Sequence, residues 1–142
     1  APALVRLARS RLADVRAIAG CPVGLENLAL AFSLDDVLRQ GAYIDEILTP
    51  LDGYVVLDLH NLYCQHHNFG VPLERLVEAY PLARVQELHL SGGSWSVPSG
   101  GDDRTPVRRD THDDDVPPEL FELLPWVLER CPNVELVILE RL

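Results

Sequence analysis

Four short apolar runs, at residues 22–27 (PVGLEN), 54–59 (YVVLDL), 84–90 (RVQELHL) and 134–140 (VELVILE), alternate with segments of helical period. Nothing else in the chain narrows its fold as much. Strands separated by helices pair in parallel through right-handed crossovers, and near-continuous apolar strands suit a sheet covered by those helices. The first helix is expected over residues 3–19. There Leu4, Ala8, Leu12, Val15 and Ala19 form a stripe, with Arg6, Arg9 and Arg16 largely off it, and Gly20 ends it. Ser33 caps a second helix, Asp35 and Asp36 favour its dipole, and Pro50 closes it. Pro72 opens a third, with Leu73, Leu76, Val77 and Tyr80 as its apolar positions. A fourth starts at Pro117 and is expected to bend or break at Pro125.

The expected fold class is therefore α/β, a single domain over residues 1–142. It is a partial TIM barrel of parallel βα repeats with four strands. Its open sheet edges predict self-association. Residues 91–116 are rich in Gly, Ser, Pro and Asp and show no core periodicity. A loop of that length is usually functional or disordered; its glycines and prolines are expected to carry little burial, and its tip to be mobile until metal or substrate binds.

Every strand ends in a residue that binds metal well: Glu26, Asp58, His89 and Glu140. Residues two apart on a strand share a face, so the four tips can converge at the carboxyl ends of a parallel sheet, where α/β barrels build active sites. Asn61 follows Asp58 by three residues, and the long loop adds Asp110 and His112 in an Asp-x-His spacing. Carboxylates, imidazoles and an amide suit a divalent transition metal, and no thiolate set for structural zinc is present. His66 and His67, in a loop expected after the second strand, read as surface residues or substrate contacts.

Charge and composition exclude other classes. The net charge is −10 and all twelve basic residues are arginine, which disfavours nucleic acid as a partner. Arg104, Arg108 and Arg109 cluster, but Asp102, Asp103, Asp110 and residues 113–115 surround them. Cys21, Cys64 and Cys131 form no CxxC pair and read as reduced thiols. No apolar run approaches the ~20 residues of a membrane span, so a cytoplasmic protein is expected.

The runs GLENLA, VLDLHNLYCQHHNFG, ELHLSGG, DTHDDDVP and LVILER, in this order and spacing, resemble the multinuclear non-heme iron-dependent oxidative enzymes (MNIO). That family comprises TIM-barrel proteins that modify ribosomally made peptides, commonly at cysteine. The resemblance spans residues 22–141 and corresponds to strands four to seven of a barrel that takes about 250 residues. It implies Glu26, Asp58, Asn61, His89, Asp110, His112 and Glu140 as metal ligands. It further implies two or three iron ions used with O2, a cysteine-containing precursor peptide as substrate, and a possible leader-binding partner protein. Xylose-isomerase-like barrels, either sugar isomerases or endonuclease IV-type hydrolases using Zn or Mn, share the ligand layout and form the alternative. A non-catalytic truncated relic is the third reading.

Overall fold

A computed structural model of the chain describes residues 2–97 and 105–141. In chain order the elements are α1 (Pro2–Ala19), β1 (Gly24–Glu26), α2 (Leu34–Leu48), β2 (Tyr54–Asp58), α3 (Leu59–Phe69) and α4 (Leu73–Glu78). They continue with β3 (Val85–Leu90), β4 (Trp95–Ser96), β5 (Val107–Arg108), α5 (Pro118–Arg130) and β6 (Leu136–Leu139). Strands β1, β2, β3 and β6 form one parallel sheet in that order, each beside its predecessor. The expected α/β class and four-stranded parallel sheet are present. The sheet is open among the described residues: β1 and β6 each have one neighbour.

The core forms where helices cover the sheet. Val55 and Leu57 of β2 and Val85 and Leu88 of β3 pack with Val37 and Leu48 of α2, Leu76 of α4, and Leu120 and Val127 of α5. Ser33 caps α2 as its sequence position demands, accepting a hydrogen bond from the Asp36 N–H at 3.2 Å.

Helix α1 departs from expectation. Leu4 and Val15 of its apolar stripe are exposed, and Val5 is buried instead. Arginine attaches this helix. Arg9 Nε donates to the Glu46 carbonyl at 3.0 Å, and Arg16 Nη1 donates to the Leu51 carbonyl at 2.5 Å.

Three further differences from expectation lie after β2. Residues after β2 were expected as loop, yet they form α3. Asp58 is its N-cap, and Gly70, at φ 69°, ends it in the left-handed region that glycine tolerates. Pro125 does not break α5. Its ring is exposed, so the carbonyl it leaves without a helical partner can be solvated. The 91–116 segment is not wholly irregular. β4 and β5 pair antiparallel within it, Trp95 against Arg108 and Ser96 against Val107. Its base is buried at Gly92 and Gly93, contrary to the expectation that its glycines carry little burial. The tip, residues 98–104, lies outside the described residues.

The outer strand β6 leaves Leu136, Val137 and Leu139 exposed, at 50%, 41% and 63%. An apolar strand with an unpaired edge recruits another strand. The isolated 142-residue chain should therefore elute above its monomer mass in size-exclusion chromatography with light scattering. A concentration-independent monomer would contradict this.

Candidate metal centre

The strand-end residues lie on one face but not on one level. Glu26 is in register with Val56, two residues before Asp58, while Asp58 is opposite His89. His89 pairs with Ile138, two residues before Glu140. Since side chains repeat every two residues, all four share a face, and the stagger advances along the sheet as barrel strands do.

Beyond the strand pairing, Asn27 ties the end of β1 to the end of β2. Its buried side chain accepts from the Asp58 N–H at 2.7 Å and donates to the Asp58 carbonyl at 3.0 Å. Asp58, fully buried, accepts from the Asn61 N–H at 2.6 Å through Oδ1, while Oδ2 has no partner. One carboxyl oxygen thus caps α3 and the other is left for a ligand. The cap also sets Asn61, whose Nδ2 donates to the Asn27 carbonyl at 2.9 Å and to Glu26 Oε1 at 3.3 Å. Its Oδ1 is buried and unpartnered too.

His89 Nε2 lies 2.7 Å from Glu87 Oε1, two residues back on the same face. A carboxylate partner at Nε2 places the proton there and frees Nδ1. Nδ1 is 3.3 Å from Glu140 Oε1 and makes no well-aligned hydrogen bond. Glu140 follows β6 and is placed by its backbone N–H, which donates to the Leu90 carbonyl at 2.9 Å. Its Oε2 is 3.8 Å from His112 Nε2, which in turn lies 3.1 Å from Asp110 Oδ1. Glu26, Asp58 and His89 each offer a ligand atom, and these atoms all lie within 4.8 Å of one another. All seven sequence-derived candidates are thereby linked in one run of contacts from Asn61 to Asp110. His66 and His67 stand apart from it. His66 Nδ1 donates to the Val71 carbonyl at 2.7 Å, and His67 sits edge-on to Trp95 at 5.1 Å.

The electrostatics are those of crowded acids. Burial, reinforced by Asp110 and Glu26, pushes the Asp58 carboxyl up to about 7, against the cap hydrogen bond from Asn61. Burial also raises Glu26. At His89, burial opposes the charged form, but the Glu87 hydrogen bond and the fields of Glu140, Glu26 and Asp58 outweigh it and raise the pKa. Burial works against the Asp110 anion as well, yet the hydrogen bond from His60 and the nearby His112 hold it below the usual range. Unpartnered buried oxygens, close carboxylates and a freed imidazole nitrogen are what a divalent cation offsets. The residues present fit a metal.

Residues 2–141 match a family model described as "RiPP precursor modification enzyme MbnB/TglH/ChrH". The chain belongs to this family. It is 26% identical over 137 residues to a UPF0276 protein of Pseudomonas aeruginosa, covering 96% of this chain and 45% of that one. It is 25% identical over 130 residues to a UPF0276 protein of Anaeromyxobacter, covering 90% and 43%. A Vibrio vulnificus UPF0276 protein shows 30% identity over 110 residues, covering 76% and 36%. The chain thus spans under half the length of these curated relatives. No described helix is long and apolar enough to cross a membrane.

In this MbnB/TglH/ChrH family member the ligand candidates rest on residues that sequence reasoning missed. His60 is fully buried on α3, and its Nδ1 is 3.0 Å from Asp110 Oδ1, an oxygen that also accepts from Ser91 Oγ at 3.2 Å. His112 is held at φ 57°, strained for a non-glycine residue, and its N–H donates to the Gly92 carbonyl at 2.9 Å. A Cβ on Gly93 would strike the Arg109 carbonyl and lie 2.9 Å from His60 Cε1. Gly93→Ala should therefore displace the Asp110 strap, destabilise the chain by about 1–3 kcal/mol, and weaken metal binding. Urea melts and metal titration would register both effects, and wild-type values in each would refute the packing argument.

Proposed function

We propose that the chain carries the metal-binding part of an iron-dependent oxidase acting on a cysteine-containing, ribosomally made precursor peptide. The observation that supports it most is the joining of Glu26, Asp58, Asn61, His89, Asp110, His112 and Glu140 at the carboxyl edge of one sheet, with Asp58 Oδ2 and Asn61 Oδ1 unsatisfied. Family membership supplies the peptide class. A donor set of carboxylate, imidazole and amide can hold two or three irons, and iron there would supply one-electron chemistry with O2 and a position for a thiolate. The cluster has no thiolate of its own. Cys64 is buried on α3 with its Sγ 4.0 Å from His60 Nδ1, and burial pushes its thiol up to about 12. A coordinating sulfur would come from the substrate.

The chain's residues divide the remaining work. Glu87 fixes the His89 tautomer, His60 and Ser91 orient Asp110, and Asn27 ties the ends of β1 and β2 together. Anaerobic iron reconstitution followed by metal analysis tests this reading. His89→Ala should lose most of the bound iron, whereas His66→Ala should keep it, since His66 is turned to the Val71 carbonyl. Wild-type iron in His89→Ala, or zinc or manganese bound to the exclusion of iron, would overturn the oxidase assignment.

A further inference from the structure

Arg108 is the one residue of the 91–116 segment that puts a full positive charge into the interior among the described residues. It is only 6% exposed. Its place is built: the Asn68 side chain accepts from the Arg108 N–H at 2.8 Å and donates to the Arg108 carbonyl at 2.9 Å. The guanidinium itself is poorly satisfied. Nη2 faces His60 Nε2 at 3.3 Å, Nε is buried without a partner, and the rings of Tyr63 and Trp95 lie 5.5 and 5.6 Å from Cζ. Aromatic faces attract a cation, but they leave its hydrogen-bond donors unused. No carboxylate pairs with it among the described residues, and a buried charge without a counter-ion is costly. The neighbouring Arg109 is exposed and likewise without an ion pair among the described residues.

Both arginines line a cleft of about 520 Å³ together with Glu26, Asn61, Asp110 and the apolar Leu28 and Leu30. A cation bound by the cluster would offset its carboxylates, which would leave Arg108 and Arg109 as the positive residues of that cleft with no ion pair among the described residues. One imidazole separates Arg108 from the cluster: His60 is 3.3 Å from Arg108 on one side and 3.0 Å from Asp110 on the other. An extended peptide advances about 3.3–3.6 Å per residue. A carboxylate one or two residues from a metal-held cysteine is therefore within reach of Arg108.

We propose that Arg108 and Arg109 form a carboxylate-binding subsite that receives an acidic group of the substrate peptide close to its reacting cysteine. The planar guanidinium pairs with a carboxylate through two parallel hydrogen bonds. That group is either the peptide's own C-terminus or an Asp or Glu side chain. The inference rests on the peptide-oxidase reading for its thiol but not for its anion.

Calorimetric titration of the anaerobic, iron-loaded chain separates the two. The probes are N-acetyl-Cys-Gly with a free C-terminus, its C-terminal amide, and N-acetyl-Cys-Asp-amide, together with serine counterparts of the first two. At least one acidic probe should bind about tenfold tighter than the neutral amide, and the acid that gains identifies the source of the carboxylate. Arg108→Gln should erase that gain. Because Arg108→Gln also removes the contact to His60, Arg109→Gln, on an exposed side chain, is the second arm and should shrink the gain severalfold. If the serine acid keeps its advantage while cysteine adds nothing, the subsite stands and the thiolate reading fails. If cysteine amide binds but neither acid gains, or both arginine variants keep the gain, the subsite is overturned.

Discussion

Replacing Asp58 by asparagine is expected to abolish iron binding while leaving helix α3 in place. The two oxygens of Asp58 face different tasks: Oδ1 accepts from the Asn61 N–H at 2.6 Å, and Oδ2 is buried with no partner. Asparagine caps helices as well as aspartate, so its Oδ1 can keep the cap and the Asn61 orientation. What it loses is the anion at the centre of the Glu26–Asp58–His89 group. Removing an outer partner of a metal ligand already costs roughly 10–100-fold in affinity, and loss of a central carboxylate should exceed that. Asp58→Ala should lose the metal and the cap together, adding about 1 kcal/mol of helix destabilisation. Chelator-competition titrations with Fe(II), read beside far-UV circular dichroism, distinguish the two variants. An Asp58→Asn protein that binds iron like the wild type would remove Asp58 from the centre.

That double use of Asp58 also explains what could be read from the chain and what could not. The strands were legible because Val55, Val56 and Leu57, or Leu88 between Glu87 and His89, carry an apolar run to a polar tip. Once those tips share a face, the ligand candidates follow from strand geometry. Helix α3 was obscured because its polar residues serve the site. Leu59, Leu62 and Tyr63 hold a helical spacing, Asp58 is a legitimate N-cap and Gly70 a legitimate stop, but Asn61, His60 and Gln65 break the apolar stripe while being buried. They are buried because they find partners that no local pattern reveals: Gln65 Nε2 donates to the Leu28 carbonyl at 2.6 Å, and His60 meets Asp110 fifty residues away. The same holds for Arg108, which composition places in a solvated cluster. Asn68, Tyr63 and Trp95 draw it inside. The stripe of α1, where Leu12 meets the core but Leu4 and Val15 stay exposed, is the opposite case, since helical periodicity reports a face but not how much of it is covered.

Metal-free protein should lose stability as the pH rises from about 5.5 to 8, and bound metal should reverse that slope. The sign comes from the acids. Asp58 titrates near 7 in the folded chain against an ordinary 3.8, so the folded state holds a proton that the unfolded state has released. Stability from this group is full below the ordinary value and is lost as the pH climbs through about 7. At about 1.4 kcal/mol per pKa unit, the full span is roughly 4 kcal/mol. Glu26, raised by burial, acts in the same direction. So does His89, whose raised pKa gives stability that disappears as it deprotonates. Asp110, held low, opposes them only at the acid end, where its contribution is lost as the pH falls through its folded value. A divalent cation binds ionised carboxylates and neutral imidazole, so its affinity rises over the same interval in which the metal-free site weakens. Urea melts at pH 5.5 and 8, with and without anaerobic Fe(II), should show metal stabilising far more at pH 8. Asp58→Asn should reduce the metal-free slope to what Glu26 and His89 contribute, because its amide does not titrate. If the metal-free wild type instead gains stability toward pH 8, the carboxylates are ionised and compensated without a cation, and the case for a metal at this sheet edge fails.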